Sequence, residues 1–295
     1  MGAAAEVTPE VTIVVPHFRD FDRLDLCLHA LSRQSFPADR VEIVVADNNS
    51  PEGPERLEQA IAGRARWVIA LERGAGPARN AGAAAARGAI LAFTDSDCVP
   101  DPEWLGAGLK VLERHGFVGG RMRVIAGEPA TAAEAFEKAF AFDNASYVLK
   151  KGFTVTANLF VRKADFERVG GFKTGVSEDL EWSHRAVAAG LSLGYAEQAV
   201  VAHPARRDWR ELKTKWARIN RETWGLYRDR RGGTLRWLAR TALLPLSAVA
   251  HTPKALTSPE LKTWRERFLA LGELYRLRLW RVWHSVALAA EKREP

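Results

Sequence analysis

The chain is 295 residues long, 47% hydrophobic and 27% charged, with a formal net charge of +7. That length suffices for one large domain or two modest ones around a buried core. The apolar fraction excludes a disordered chain, two cysteines are too few for a disulfide scaffold, and no glycine period points to collagen. Cys27 and Cys98 read as reduced thiols of a cytosolic protein rather than a metal site. The start, MGAAAEVTPE, has neither the basic segment nor the apolar run of a secretory leader. Glu6 also stands where N-myristoylation wants Ser or Thr.

The first two hundred residues alternate β-branched runs with helical stretches, which predicts an α/β fold with a mostly parallel sheet. Val11–Val15 and Val41–Ala46 are near-continuous apolar runs, as strands buried on both faces require. Between them, Leu24, Leu28 and Leu31 recur at helical spacing over 22–34. Further strands are expected at 66–70, 89–93, 117–124, 154–161 and 193–201. A helix is expected from Pro77 to Arg87, with proline harmless in its first turn. Another is expected over 177–189. After His203 the β pattern stops. A helix over 211–230 ends at Arg231-Gly232-Gly233, and the apolar stretch 241–250 is far short of the ~20 residues that span a bilayer. Over 268–289, Phe268, Leu271, Tyr275, Leu279, Val282, Val286 and Ala289 form one apolar stripe, with Arg278, Arg281 and His284 on another face.

Charge divides the chain at the same place. Residues 1–204 hold 22 Lys/Arg against 27 Asp/Glu, whereas residues 205–295 hold 21 against 9. Seven of the ten tryptophans also fall in that last third. The reading is a region over 1–205 and a basic, Trp-rich helical extension over 206–295.

Asp95-Ser96-Asp97 follows the strand at 89–93, and ligands of open α/β sheets sit beyond the carboxyl ends of strands. Two carboxylates one residue apart can share a divalent cation bridging diphosphate oxygens. A polar turn capping the next helix explains the same residues. Glu178, Asp179 and Glu181 crowd three carboxylates into a first helical turn. The helix dipole stabilises them there, yet their mutual repulsion also suits a general base. Asp47-Asn48-Asn49-Ser50-Pro51 closes the second strand, either as a turn or as a base-binding edge. Arg79 lies in the first turn of its helix, where amides and a cation meet an anion. Gly74-Ala75-Gly76-Pro77-Ala78-Arg79 only mimics a dinucleotide fingerprint, with Arg in place of the third glycine, and there is no Walker sequence.

Taken in order, VTIVVPHFRD, VVADNNSPEG, GPARNAGAAAARGAILAFTDSDCVPDPEWL, TANLFVRKADFERVGGF and SEDLEWSHRAVAAG resemble the family-2 glycosyltransferases. These are inverting enzymes of the GT-A fold that use nucleotide-diphospho-sugars, and the resemblance covers about residues 10–205. It implies a GT-A α/β catalytic domain over 1–205 and the following site residues. Pro16 borders the nucleotide base, Asp47 hydrogen-bonds it, and Arg79 helps to hold the nucleotide. Asp95 touches ribose or metal, Ser96 belongs to the donor site, and Asp97 is the principal ligand of a Mn²⁺ or Mg²⁺ ion. Asn158 lines the donor-sugar side, Asp179 is the catalytic base, and Glu178 and Trp182 shape the acceptor site. His203 matches a position that supplies a further metal ligand in some members. Asp47-Asn48 and His17-Phe18-Arg19 depart from common patterns in ways that bear on nucleotide or sugar preference.

The implied reaction moves a sugar, UDP-sugar favoured, to a hydroxyl of a glycan or lipid-linked acceptor in bacterial cell-surface polysaccharide or glycolipid synthesis. The competing reading is a non-catalytic nucleotide-sugar or carbohydrate-binding module on the same fold. For 206–295 the sequence offers peripheral attachment to the inner face of the cell membrane, or packing on the catalytic domain or a second subunit, which leaves a homo-oligomer open. No motif supports nucleic-acid binding.

Overall fold

The computed structural model describes residues 8–228 and 230–291, without the side chain of Glu222. The segment 1–7, on which most of the leader and acylation reading rests, lies outside the described residues. The chain divides into two compact units, residues 1–123 with 142–203, and residues 124–141 with 204–295.

In the first unit, β1 (Val11–His17), α1 (Phe21–Leu31), β2 (Val41–Asp47), α2 (Gly53–Ile61), β3 (Arg66–Ile69), α3 (Ala75–Ala85) and β4 (Ile90–Phe93) alternate as expected. They are followed by β5 (Val99–Pro100), α4 (Trp104–Leu112) and β6 (Phe117–Ile125). The eight-stranded sheet has the order β3-β2-β1-β4-β7-β6-β8-β5, where β7 is Leu159–Arg162 and β8 is Leu193–Pro204. Parallel pairing holds from β3 to β4, while β4–β7, β7–β6 and β8–β5 are antiparallel. Only the first four strands are joined by the helical crossovers that parallel neighbours need.

The alternation along β1 sets the two cores. Val11, Ile13 and Val15 pack with Leu24 and Leu28 of α1, Leu57 of α2 and Trp104 of α4. Val14 points the other way, toward Ala83 of α3, Phe93, Phe166 and Trp182. Thr12 shares that inner face, and its hydroxyl donates to Glu42 at 2.6 Å. The segment expected as a strand over 154–161 is paired only from Leu159. Thr156–Asn158 forms a 3₁₀ turn, and this turn carries a backbone donor into the site. Helices α7 (Lys163–Val169) and α8 (Glu178–Ala188) complete the unit, together with the short α6 (Asn144–Ser146).

The second unit is helical. It contains α5 (Ala132–Phe140), α9 (Trp209–Arg228), α10 (Gly233–Ala242), α11 (Leu244–Thr257) and α12 (Trp264–Ala290). Residues 124–141 belong to it because α5 buries Ala133 and Phe136 against Leu212, Leu274 and Leu277. Capping boxes open two of its helices, Thr131 with Glu134 and Thr263 with Glu266. Among the described residues, no helix is long and apolar enough to cross a membrane.

Most of the apolar stripe of α12 turns away from the core, although Leu271 packs on the cluster of Leu274 and Leu277. Phe268, Tyr275, Leu279 and Val286 are exposed, while Ala270, Leu274, Leu277, Arg281, Ser285 and Leu288 are buried. Arg281 thus lies inside rather than on a solvated face. Helical periodicity reports that a stripe exists, and the neighbouring helices decide which side is covered.

Candidate functional site

The carboxyl ends of β1 and β4 and the head of α3 enclose a cleft of about 300 Å³. Pro16, Arg79, Asp95, Ser96 and Asp97 line it, together with His17, Phe18, Arg23 and Asn48. This is where an open α/β sheet presents ligands, because the strand ends and helix N-termini converge there. Asn48 fixes its loop by donating to the carbonyls of Ala70 and Glu72 at 3.0 and 2.6 Å. Its own Oδ1 accepts from Gly74 N–H at 2.8 Å.

Asp97, in the turn after β4, meets His203 near the end of β8, with Oδ2 and Nε2 3.3 Å apart, and Arg23 stands 3.9 Å from the same carboxylate. The ring of Phe142 lies 4.6 Å from that of His203. Cys98 joins them, since one ligand atom from each of Asp97, Cys98 and His203 lies within 4.8 Å of the others. Cys98, which reads from sequence as a reduced thiol rather than a metal ligand, therefore belongs to a metal-capable group. A carboxylate oxygen and an imidazole nitrogen in this geometry fit a divalent cation. Asp95 does not join them, because its carboxylate pairs with Arg79.

Arg79 is buried and forks between Asp95 and Glu178. Burial alone would lower its proton affinity, but the carboxylates of Asp95 and Glu178 raise it further. Its expected task of holding nucleotide is thus joined to another, tying the end of β4 to the head of α8. Gly76 leaves room for this, since a Cβ there would lie 2.7 Å from Glu178 Oε2.

The three crowded carboxylates of α8 separate by partner. Glu178 takes Arg79, and Glu181 takes Arg185 and Lys173, each at 2.8 Å. Asp179 Oδ1 accepts the backbone N–H of Thr156 at 2.8 Å, which leaves Oδ2 free of that bond. Burial pushes Asp179 above the ordinary carboxylate range despite that bond and the Arg79 charge. Burial raises Glu178 as well, with Arg79 opposing and Asp179 and Asp95 adding to the shift.

Three residues expected to contact ligand are buried among other partners. Asp47 is buried, accepting from His17 Nδ1, Ser50 N–H and Ser50 O–H, each at 2.7 Å. Burial would raise its proton affinity, but those bonds outweigh it and hold Asp47 below the ordinary range. Its carboxylate organises the β1–β2 edge. Asn158 is fully buried and spent on structure. It accepts from Trp104 Nε1 at 3.0 Å and donates to the carbonyls of Arg121 and Ala199 at 3.0 and 2.9 Å. Trp182, expected to shape the acceptor site, is placed in the core. Its indole donates to Gly170 O at 3.0 Å and packs on Phe117, Phe166 and Phe172.

No site role is expected of Arg23 or Thr156 from sequence, Phe18 stands there only as a departure from a common pattern, and Cys98 reads as a reduced thiol. Phe18 offers an exposed ring at the cleft, and Arg23 a cation beside Asp97. Their signal was adjacency to motifs already singled out.

A mixed sheet with this strand-end cleft and an acid at the head of α8 defines a GT-A-type fold. Residues 12–170 match the family described as Glycosyl transferase family 2. Glycosyltransferase AglE of Haloferax volcanii is 32% identical over 221 residues, covering 72% of each chain. The chain belongs to glycosyl transferase family 2 and is a glycosyltransferase. The fold is shared with the mannosyltransferase PcManGT of Pyrobaculum calidifontis, solved with GDP-Man and Mn²⁺. That likeness has a TM-score of 0.58 at 18% identity over 95% of this chain and 86% of the other. S. aureus TarS 1–349, solved with UDP-GlcNAc, gives a TM-score of 0.53 at 15% identity over 95% and 89%.

Proposed function

We propose that residues 1–205 carry a metal-dependent, inverting transferase that moves a sugar from a nucleotide-diphospho-sugar to an acceptor hydroxyl. One observation carries the reading. Asp179, an acid with raised proton affinity, stands beside Glu178, which Arg79 joins to the cleft holding Asp95 and Asp97, the latter meeting His203.

In this mechanism Asp179 takes the proton of the acceptor hydroxyl as its oxygen attacks the anomeric carbon. The bond from that carbon to the diphosphate oxygen breaks, and the configuration inverts. Thr156 N–H holds Asp179 in place, and Arg79 fixes the two carboxylates around it. Asp97 and His203 would hold a Mn²⁺ or Mg²⁺ ion, whose charge offsets that of the departing diphosphate.

A UDP-sugar is the favoured donor. The likeness to TarS, solved with UDP-GlcNAc, supports uridine, and PcManGT with GDP-Man makes guanosine the comparison to run beside it. The acceptor is a glycan or lipid-linked glycan of cell-surface polysaccharide or glycolipid synthesis. Residues 206–295 bring the enzyme to the inner face of the membrane, a reading supported by the outward apolar stripe of α12 in a basic region.

The test is release of nucleoside diphosphate from a panel of UDP- and GDP-sugars with Mn²⁺, Mg²⁺ or chelator. We expect turnover with one donor, lost on chelation and restored by metal. Full activity in chelator would remove the metal role of Asp97, and no turnover of any donor with metal and acceptor present would favour a binding module.

A further inference from the structure

The helical unit holds a cluster of like charges that the transfer reaction does not use. Arg281 of α12 is only 3% exposed, with its guanidinium 4.3 Å over the ring of Trp216 and its Nε donating to Asn220 Oδ1 at 3.0 Å. Arg278 lies one turn earlier on α12, and Arg240 is on α10, which packs on α12; both charges act on Arg281. Arg240 lies 5.3 Å over the ring of buried Trp237. Arg278 Nε and Arg240 Nη1 are buried without a hydrogen-bond partner among the described residues. None of the three arginines has a carboxylate partner among those residues.

This arrangement is costly without an anion. A guanidinium does not shed its proton readily, and buried donors left unmade lose their hydration without return. Burial, then Arg278, then Arg240 push Arg281 down to about 9. Burial and Arg240 lower Arg278 in the same direction. Aromatic faces offset part of the charge, but they cannot accept the in-plane hydrogen bonds of the two orphaned nitrogens. An anion with several acceptor oxygens can satisfy both and neutralise the repulsion.

We propose that Arg240, Arg278 and Arg281 form a binding site for a phosphate group. Forked guanidinium donors match phosphate oxygens in geometry and charge. The same helices expose Leu235 and Leu238 on α10 and Leu279 and Trp283 on α12. A phosphate bearing an apolar chain would thus satisfy both chemistries, while free phosphate would satisfy only the first. The inference rests on the helical unit alone and is independent of the sugar-transfer reading.

The experiment uses the full chain and measures ligand-induced shifts in Tm at constant ionic strength. The probes are inorganic phosphate against chloride, and phosphatidylcholine vesicles with and without phosphatidic acid. Arg240→Gln/Arg278→Gln removes the orphaned donors at half-buried positions, and Arg231→Gln/Arg236→Gln removes the same charge from exposed ones. The wild type is expected to gain Tm saturably, the control to match it, and the cluster variant to bind at least about tenfold more weakly. A shift with inorganic phosphate supports a site for any phosphate, and one confined to phosphatidic acid supports a lipid-borne phosphate. No shift with either probe overturns the proposal. So does an undiminished shift in the cluster variant, or an equal loss in the control.

Discussion

Asp179 and Glu178 are neighbours on one helical turn, yet the fold gives them different work. Glu178 is held by Arg79, whereas Asp179 has a backbone amide on one oxygen and burial raising its proton affinity. The native state keeps the Asp179 proton to higher pH than the unfolded chain does. Ionising it therefore lowers stability as pH rises from the ordinary Asp value through the raised one. Asp179→Asn should keep donor binding, lose about 10²–10⁴-fold in turnover, and flatten that part of the stability curve. Calorimetric donor titration, steady-state rates and Tm against pH test the three arms. Near-normal turnover would remove Asp179 as base. The acid limb of kcat in the parent should lie above the ordinary Asp range. Asp97, Asp179 and His203 were legible in the sequence because each ends a recognisable strand or opens a helix. Asn158 and Trp182 were not, because their burial depends on partners such as Ala199 and Phe117, which the motif around each does not contain.

Elements carry the site through a few close approaches. Helix α4 lies on β7 at Gly108, where an added Cβ would fall 2.2 to 2.5 Å from the Phe160 ring. Phe160 is fully buried and packs on Trp104, whose indole holds Asn158. Gly108→Ala should cost about 1–3 kcal/mol, because the ring has nowhere to move in a packed core. Chemical denaturation reads this as a lower midpoint at unchanged slope, and a loss below about 0.5 kcal/mol would show that α4 lifts without strain. The helix and strand order was legible because apolar period follows backbone geometry. Two features were not. Antiparallel pairing beyond β4 depends on how the chain returns to the sheet. The outward turn of the α12 stripe depends on α5, α9 and α11 claiming the opposite side.

At the scale of the whole chain, the proposed function gives the acidic and basic regions separate tasks. Of the seven tryptophans in the last third, Trp209, Trp216 and Trp280 pack on one apolar cluster, while Trp224 lies against buried Trp237. Trp264 and Trp283 stay outside, with exposures of 66% and 67%. Leu235 at 74% and Leu246 at 65% add apolar surface on α10 and α11. The proposed membrane attachment would use such residues, which are exposed on several helices. Lysine and arginine there outnumber acids 21 to 9, which suits an anionic bilayer, at roughly 1 kcal/mol for each basic group near the surface. The protein should float with phosphatidylglycerol vesicles at low salt and less as salt screens the charges. Phosphatidylcholine alone should hold it weakly. Leu235→Glu/Leu279→Glu/Trp283→Glu should abolish flotation while leaving nucleotide-sugar hydrolysis intact, because none of the three lines the donor cleft. Failure of the parent to float at low salt would end the membrane reading. Equal flotation of the triple variant would move the contact off these helices.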